Sequence, residues 1–98
     1  MDGASRHTRQ TVTANTTPAA ITWPDADGAA EAQMYVSTPN GAVEVVFDSG
    51  AADDTGIEIP DGETNYAAGR WVINSTDRPS HIRAGSSTDC EVLFLIYE

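Results

Sequence analysis

The stretch from Gln33 to Asp48 constrains the chain most. Two β-prone runs, Gln33-Met34-Tyr35-Val36-Ser37-Thr38 and Ala42-Val43-Glu44-Val45-Val46-Phe47-Asp48, flank the tripeptide Pro39-Asn40-Gly41. Such runs around a turn of this composition form the strongest short-range hairpin signal a sequence carries. Two registers compete. A two-residue turn on Asn40-Gly41 sets Met34 opposite Phe47 and Val36 opposite Val45, but it puts Pro39 where the ladder needs an N–H. A type I turn with Pro39 first and Gly41 in the left-handed region avoids that loss and leaves a bulge at the glycine. The donor argument favours the second. Either register commits the chain to antiparallel β-structure.

The same reading extends along the chain. Gln10 to Ala14 alternates, Ala20 to Trp23 is a short strand, and Pro24 to Gly28 is a turn. Ile57-Glu58-Ile59 is closed by Pro60-Asp61-Gly62, a second Pro-x-Gly turn. Thr64 to Ala67, Arg70 to Asn74 and His81 to Ala84 read as further short strands. The last, Cys90 to Tyr97, is apolar on both faces from Val92 on, so it must lie centrally or have its second face covered. Nine or so short strands separated by turns describe a small antiparallel β-sandwich or jelly roll, an all-β fold. Its core is expected to hold Val12, Ile21, Val43, Val45, Phe47, Ile57, Val72, Val92, Phe94 and Ile96.

Residues 1–9 are polar and aperiodic and read as a flexible N-terminal arm, leaving 10–98 as a single β-sandwich domain. The arm carries Arg6 and Arg9 against Asp2 alone, so it is the basic piece of a chain whose net charge is −10. That balance, with no lysine at all, disfavours phosphate backbones and anionic membranes as partners, so neither nucleic acid nor membrane is expected. A chain of 98 residues has a thin stability margin, and association of copies is a common supplement. No signal peptide or membrane span is read, which points to synthesis in the cytosol.

Few constellations suggest chemistry. Cys90 stands alone inside an apolar run and reads as a small core residue. Asp25-x-Asp27-Gly28 looks like the start of a calcium loop, but Ala29 and Val36 fall where oxygen ligands are needed. Asp48, Asp53 and Asp54 form an acidic loop and read as solvated. His7 and His81 cannot complete a zinc site without carboxylates, and His81 near Asp77 and Ser80 is proximity in sequence only. No catalytic residues, cofactor or metal are expected, and the chain is not read as an enzyme. Trp23, Trp71, Tyr35, Tyr66 and Tyr97 raise the alternative of a carbohydrate-binding module, although core tryptophan is commoner in a small sandwich.

Three features together resemble short virion proteins of tailed bacteriophages, of the capsid decoration or cement type. A polar start leads into Thr11-Val12-Thr13-Ala14-Asn15-Thr16-Thr17-Pro18. Gly56-Ile57-Glu58-Ile59-Pro60-Asp61-Gly62-Glu63 follows, and then Ile82-Arg83-Ala84-Gly85-Ser86-Ser87-Thr88 before a hydrophobic terminal strand. The resemblance implies a protein on the capsid exterior, made in the host cytoplasm, that binds the major capsid protein as a homotrimer and stabilises the head. A neck or tail-tip component is the other virion role it admits. The expected partner-binding residues are Arg6 and Arg9 of the arm and Leu93, Leu95 and Tyr97 on the second face of the terminal strand.

Overall fold

The computed structural model describes residues 4–51 and 55–98, in which the chain is all-β. Eight strands run in the order β1 (Arg6–Ala14), β2 (Ala19–Ala20), β3 (Glu31–Ser37), β4 (Val43–Val46), β5 (Ile57–Ile59), β6 (Tyr66–Val72), β7 (His81–Arg83) and β8 (Thr88–Tyr97). They form two antiparallel four-stranded sheets, ordered β1-β8-β3-β6 and β2-β7-β4-β5. The sheets pack together as a small β-sandwich. Val12, Met34, Val36, Val92, Phe94 and Ile96 of the first meet Val43, Val45, Ile59 and Ile82 of the second in one apolar cluster. Among the described residues no helix is long and apolar enough to cross a membrane.

The Pro39-Asn40-Gly41 turn does not make a hairpin. It carries the chain from β3 in the first sheet to β4 in the second. Both edges of β3 are taken, by β8 along its whole length and by β6, so no edge remains for β4. Met34 lies opposite Phe94 and Val36 opposite Val92, and neither expected register occurs. Gly41 does adopt a positive φ, but at 142°, far from the left-handed helical well. The arch is stitched by Thr38. Its N–H donates to the Glu63 carbonyl at 2.8 Å, its carbonyl accepts from Gly62 N–H at 2.8 Å, and its Oγ1 donates to the Pro60 carbonyl at 2.5 Å. The two Pro-x-Gly turns are thereby tied into one end of the sandwich.

The terminal strand β8 is central, between β1 and β3, one of the two placements expected for it, and its second face stays half-buried. The expected flexible arm is corrected at its boundary. Arg6, His7, Thr8 and Arg9 are rungs of β1, opposite Ile96, Leu95, Phe94 and Leu93. The main-chain ladder holds them, a bond type that polar residues make as well as apolar ones. Residues 1–3 lie outside the described residues.

Two expected core residues are exposed: Phe47 at 45% and Val72 at 37%. β4 ends at Val46, so Phe47 leaves the ladder and meets Trp71 edge-on at 6.4 Å. Val72 lies opposite Glu31, on the outer side of the first sheet. Ile57 is half-buried, and the other seven expected core residues are buried. The two strands expected over 64–74 are one strand, β6, whose ladder to β3 shifts between Met34 and Tyr35. Gly69 sits at that irregularity with φ 129°, and the Trp71 indole lies over it.

Candidate functional site

The alternation of the first sheet sends its even-numbered β8 residues into the core and leaves Leu93, Leu95 and Tyr97 half-buried on the outer face. β3 alternates in step, adding Glu31, Gln33, Tyr35 and Ser37 to that face. The pairings resolve the face into rungs across β1, β8, β3 and β6. One rung is His7, Leu95, Gln33 and Arg70, and the next is Arg9, Leu93, Tyr35 and Ala67. Tyr97, Glu31 and Val72 lie on one side of these two rungs; Thr11, Glu91 and Ser37 lie on the other.

The charges sit at the rim of this apolar strip. Arg9 Nη1 pairs with Glu91 Oε1 at 2.6 Å, and Arg70 Nε pairs with Glu31 Oε1 at 2.7 Å. Both pairs are exposed and contribute little stability, on the order of 0–1 kcal/mol each. Their effect is local neutrality on an acidic chain. The Arg70 guanidinium also lies over the Tyr97 ring, 4.0 Å from its centroid, and fixes that ring at the corner of the strip.

Four of the expected partner-binding residues, Arg9, Leu93, Leu95 and Tyr97, therefore share one face. Arg6 does not join them. It has the opposite parity in β1, pairs with Glu98 at 3.2 Å and donates to the Asp25 carbonyl, tying the sheet edge to the loop before β3. The Arg6 hydrogen bond to Glu98 first, and one from Ser5 second, hold the Glu98 carboxyl below its ordinary pKa. Sequence reasoning missed Gln33, Tyr35, Arg70 and Val72 as members of the face. The strict alternation of Glu31 to Ser37 carried the first two. Arg70 and Val72 depend on the β6 irregularity, which local pattern does not reveal.

The other candidates are placed apart. Trp23 packs on Phe94 at 4.4 Å between centroids, donates its indole N–H to the Pro79 carbonyl at 2.7 Å and lies beneath the Arg78 guanidinium. Trp71 folds over Gly69 and meets Trp23 edge-on. Both indoles are half-buried and pack against the core. His81 Nδ1 lies 2.7 Å from Ser80 Oγ, and the Asp77 main-chain N–H donates to Ser75 Oγ at 2.9 Å. Cys90 is buried, and burial first and Asp89 second push its thiol up to about 11. Asp53 and Asp54 lie outside the described residues. Among the described residues, no three His, Cys, Asp or Glu side chains gather where they could hold a metal ion.

On the outer side of the second sheet, Glu44 and Arg83 lie side by side on β4 and β7, buried together. Glu44 Oε2 accepts from Gly56 N–H at 3.3 Å, which draws the chain before β5 over the pair. No family model, curated protein or solved structure matches the chain.

Proposed function

We propose that the protein is a non-catalytic structural component of a larger assembly, in its most specific form a decoration or cement protein on the outside of a phage capsid. On this reading it is made in the host cytoplasm, binds the major capsid protein, associates as a homotrimer and ends in the virion. One observation supports a binding role: the outer face of the first sheet. There Leu93, Leu95, Tyr35 and Tyr97 form an apolar strip across the centre of a four-stranded sheet, with charge confined to its rim. An apolar centre within a polar rim is the anatomy of a protein-binding patch. The capsid and the number three come from the sequence resemblance alone.

A cement protein acts by adding contact area across capsomer boundaries, so its role is thermodynamic and involves no turnover. The test is co-sedimentation of the purified protein with particles stripped of it, followed by heating. Rebinding with a higher bursting temperature is expected. Particles equally robust with and without the protein would remove the cement role.

A further inference from the structure

We propose that the outer face of the first sheet is a self-association surface, on which a second copy of this chain packs face to face about a two-fold axis. The inference rests on that face being a protein-binding surface. It does not require the capsid, and it differs from the trimer that the resemblance implies.

The argument starts from the rungs. The centre of the face is the quartet Leu93, Leu95, Gln33 and Tyr35. Around it the charges repeat: a half-turn about the sheet normal takes Arg9 to the position of Arg70 and Glu91 to that of Glu31. A two-fold contact is self-complementary only if no group meets its own kind of charge. Turning a copy over about an axis along the strands sets Arg9 on Ala67, Arg70 on His7, Glu91 on Ser37 and Glu31 on Tyr97. An axis across the strands sets Arg9 on His7, Arg70 on Ala67, Glu91 on Tyr97 and Glu31 on Ser37. In both orientations no carboxylate faces a carboxylate and no guanidinium faces a guanidinium. Leu93 is covered by an apolar partner in each, Tyr35 in the first and Leu95 in the second.

Net charge selects the same face. The whole chain carries −10, so two copies repel one another over most of their surfaces. On this face Arg9 and Arg70, two of five arginines, balance Glu31 and Glu91. It is a neutral approach for a second acidic copy.

Area sets the strength. Four strands ~4.8 Å apart and about seven residues long at ~3.3 Å each present roughly 450 Å² of flat sheet. Two such faces bury on the order of 900 Å², below the roughly 1,200–2,000 Å² of stable complexes. The dimer is therefore weak and appears with rising concentration.

Sedimentation equilibrium over a dilution series tests this. The expected result is a monomer–dimer equilibrium that added salt strengthens, since salt screens the overall repulsion. Leu93→Glu with Leu95→Glu should give a monomer at every concentration. Gln33→Glu, a gentler change that places a like-charge cluster at the centre, should weaken association at least tenfold with the circular dichroism spectrum unchanged. A wild-type protein that stays monomeric throughout overturns the proposal, as does a dimer or trimer that survives these substitutions. Particle binding, measured separately by co-sedimentation, distinguishes the two readings. A monomeric variant that still binds particles supports self-association as the use of this face. A wild-type monomer whose particle binding is lost on Leu93→Glu overturns it and leaves the capsid as the occupant.

Discussion

Glu44 Oε1 lies 3.6 Å from Arg83 Nη1, between adjacent strands, with the two side chains 9% and 10% exposed. Two charges taken this far from water attract strongly, but each has lost most of its hydration, so the pair adds little net stability. Breaking it is a different matter, because the remaining charge stays buried. Arg83→Met should destabilise the fold by about 3–5 kcal/mol. Arg83→Met combined with Glu44→Leu should recover most of that loss. Urea unfolding of the single and double variants measures both, and a double variant no better than the single would contradict the account.

Gly69 is the position least tolerant of a side chain in the first sheet. A β-carbon there falls 2.4 Å from the Trp71 ring, and the backbone φ of 129° disfavours any L-residue. Gly69→Ala should cost about 2–3 kcal/mol and alter tryptophan fluorescence, since the ring must move. Gly85 has open space around its β-position and no positive φ. Gly85→Ala should be within ~0.5 kcal/mol of wild type.

Removing residues 1–9 should weaken folding itself. It takes away the four rungs that cover Leu93 to Ile96 on one edge of β8, together with the Arg6–Glu98 pair. Thermal denaturation of the truncated protein should show a clearly lower midpoint and reduced cooperativity. An unchanged midpoint would restore the flexible arm.

Cys90 predicts a sign in the alkaline range. Its thiol is raised from 9.0 to about 11, so between those values the unfolded chain has lost a proton that the folded chain keeps. Stability from this group is fully present below pH ~9 and falls as pH rises towards ~11. Cys90→Ala should flatten that part of the profile relative to wild type. In the folded protein at neutral pH, a thiol reagent should react with Cys90 far more slowly than in denaturant.

The fold class was legible because period-two alternation is a local fact with global meaning, while the doubly apolar β8 left open whether it lay centrally or had its second face covered. The partner of the Pro39-Asn40-Gly41 turn was not legible. Turn chemistry serves an arch and a hairpin equally, and which of them forms depends on whether β8 and β6, far along the chain, occupy both edges of β3. Val72 was misjudged because apolar runs such as Trp71-Val72-Ile73 do not reveal which residues face inward. Glu44 and Arg83 gave no local sign of burial, since their cover comes from the approach to Gly56. On the candidate face, Leu93, Leu95 and Tyr97 were legible from the alternation of β8, while Arg9, expected on a flexible arm, reaches the face through the β1 pairing and Arg70 through the β6 irregularity.

The position of β8 also governs when the molecule can form. Its ten residues are the last strand of this sequence, yet they lie between β1, the first strand, and β3. During synthesis the early strands of that sheet emerge without the neighbour that joins them. The arch after β3 offers no local hairpin to hold them meanwhile. Sheet completion therefore waits until the segment through Tyr97 has left the ribosome. Such long sequence separations between paired strands place folding among the slow β topologies. Until that moment the net charge of −10 opposes association between incomplete chains.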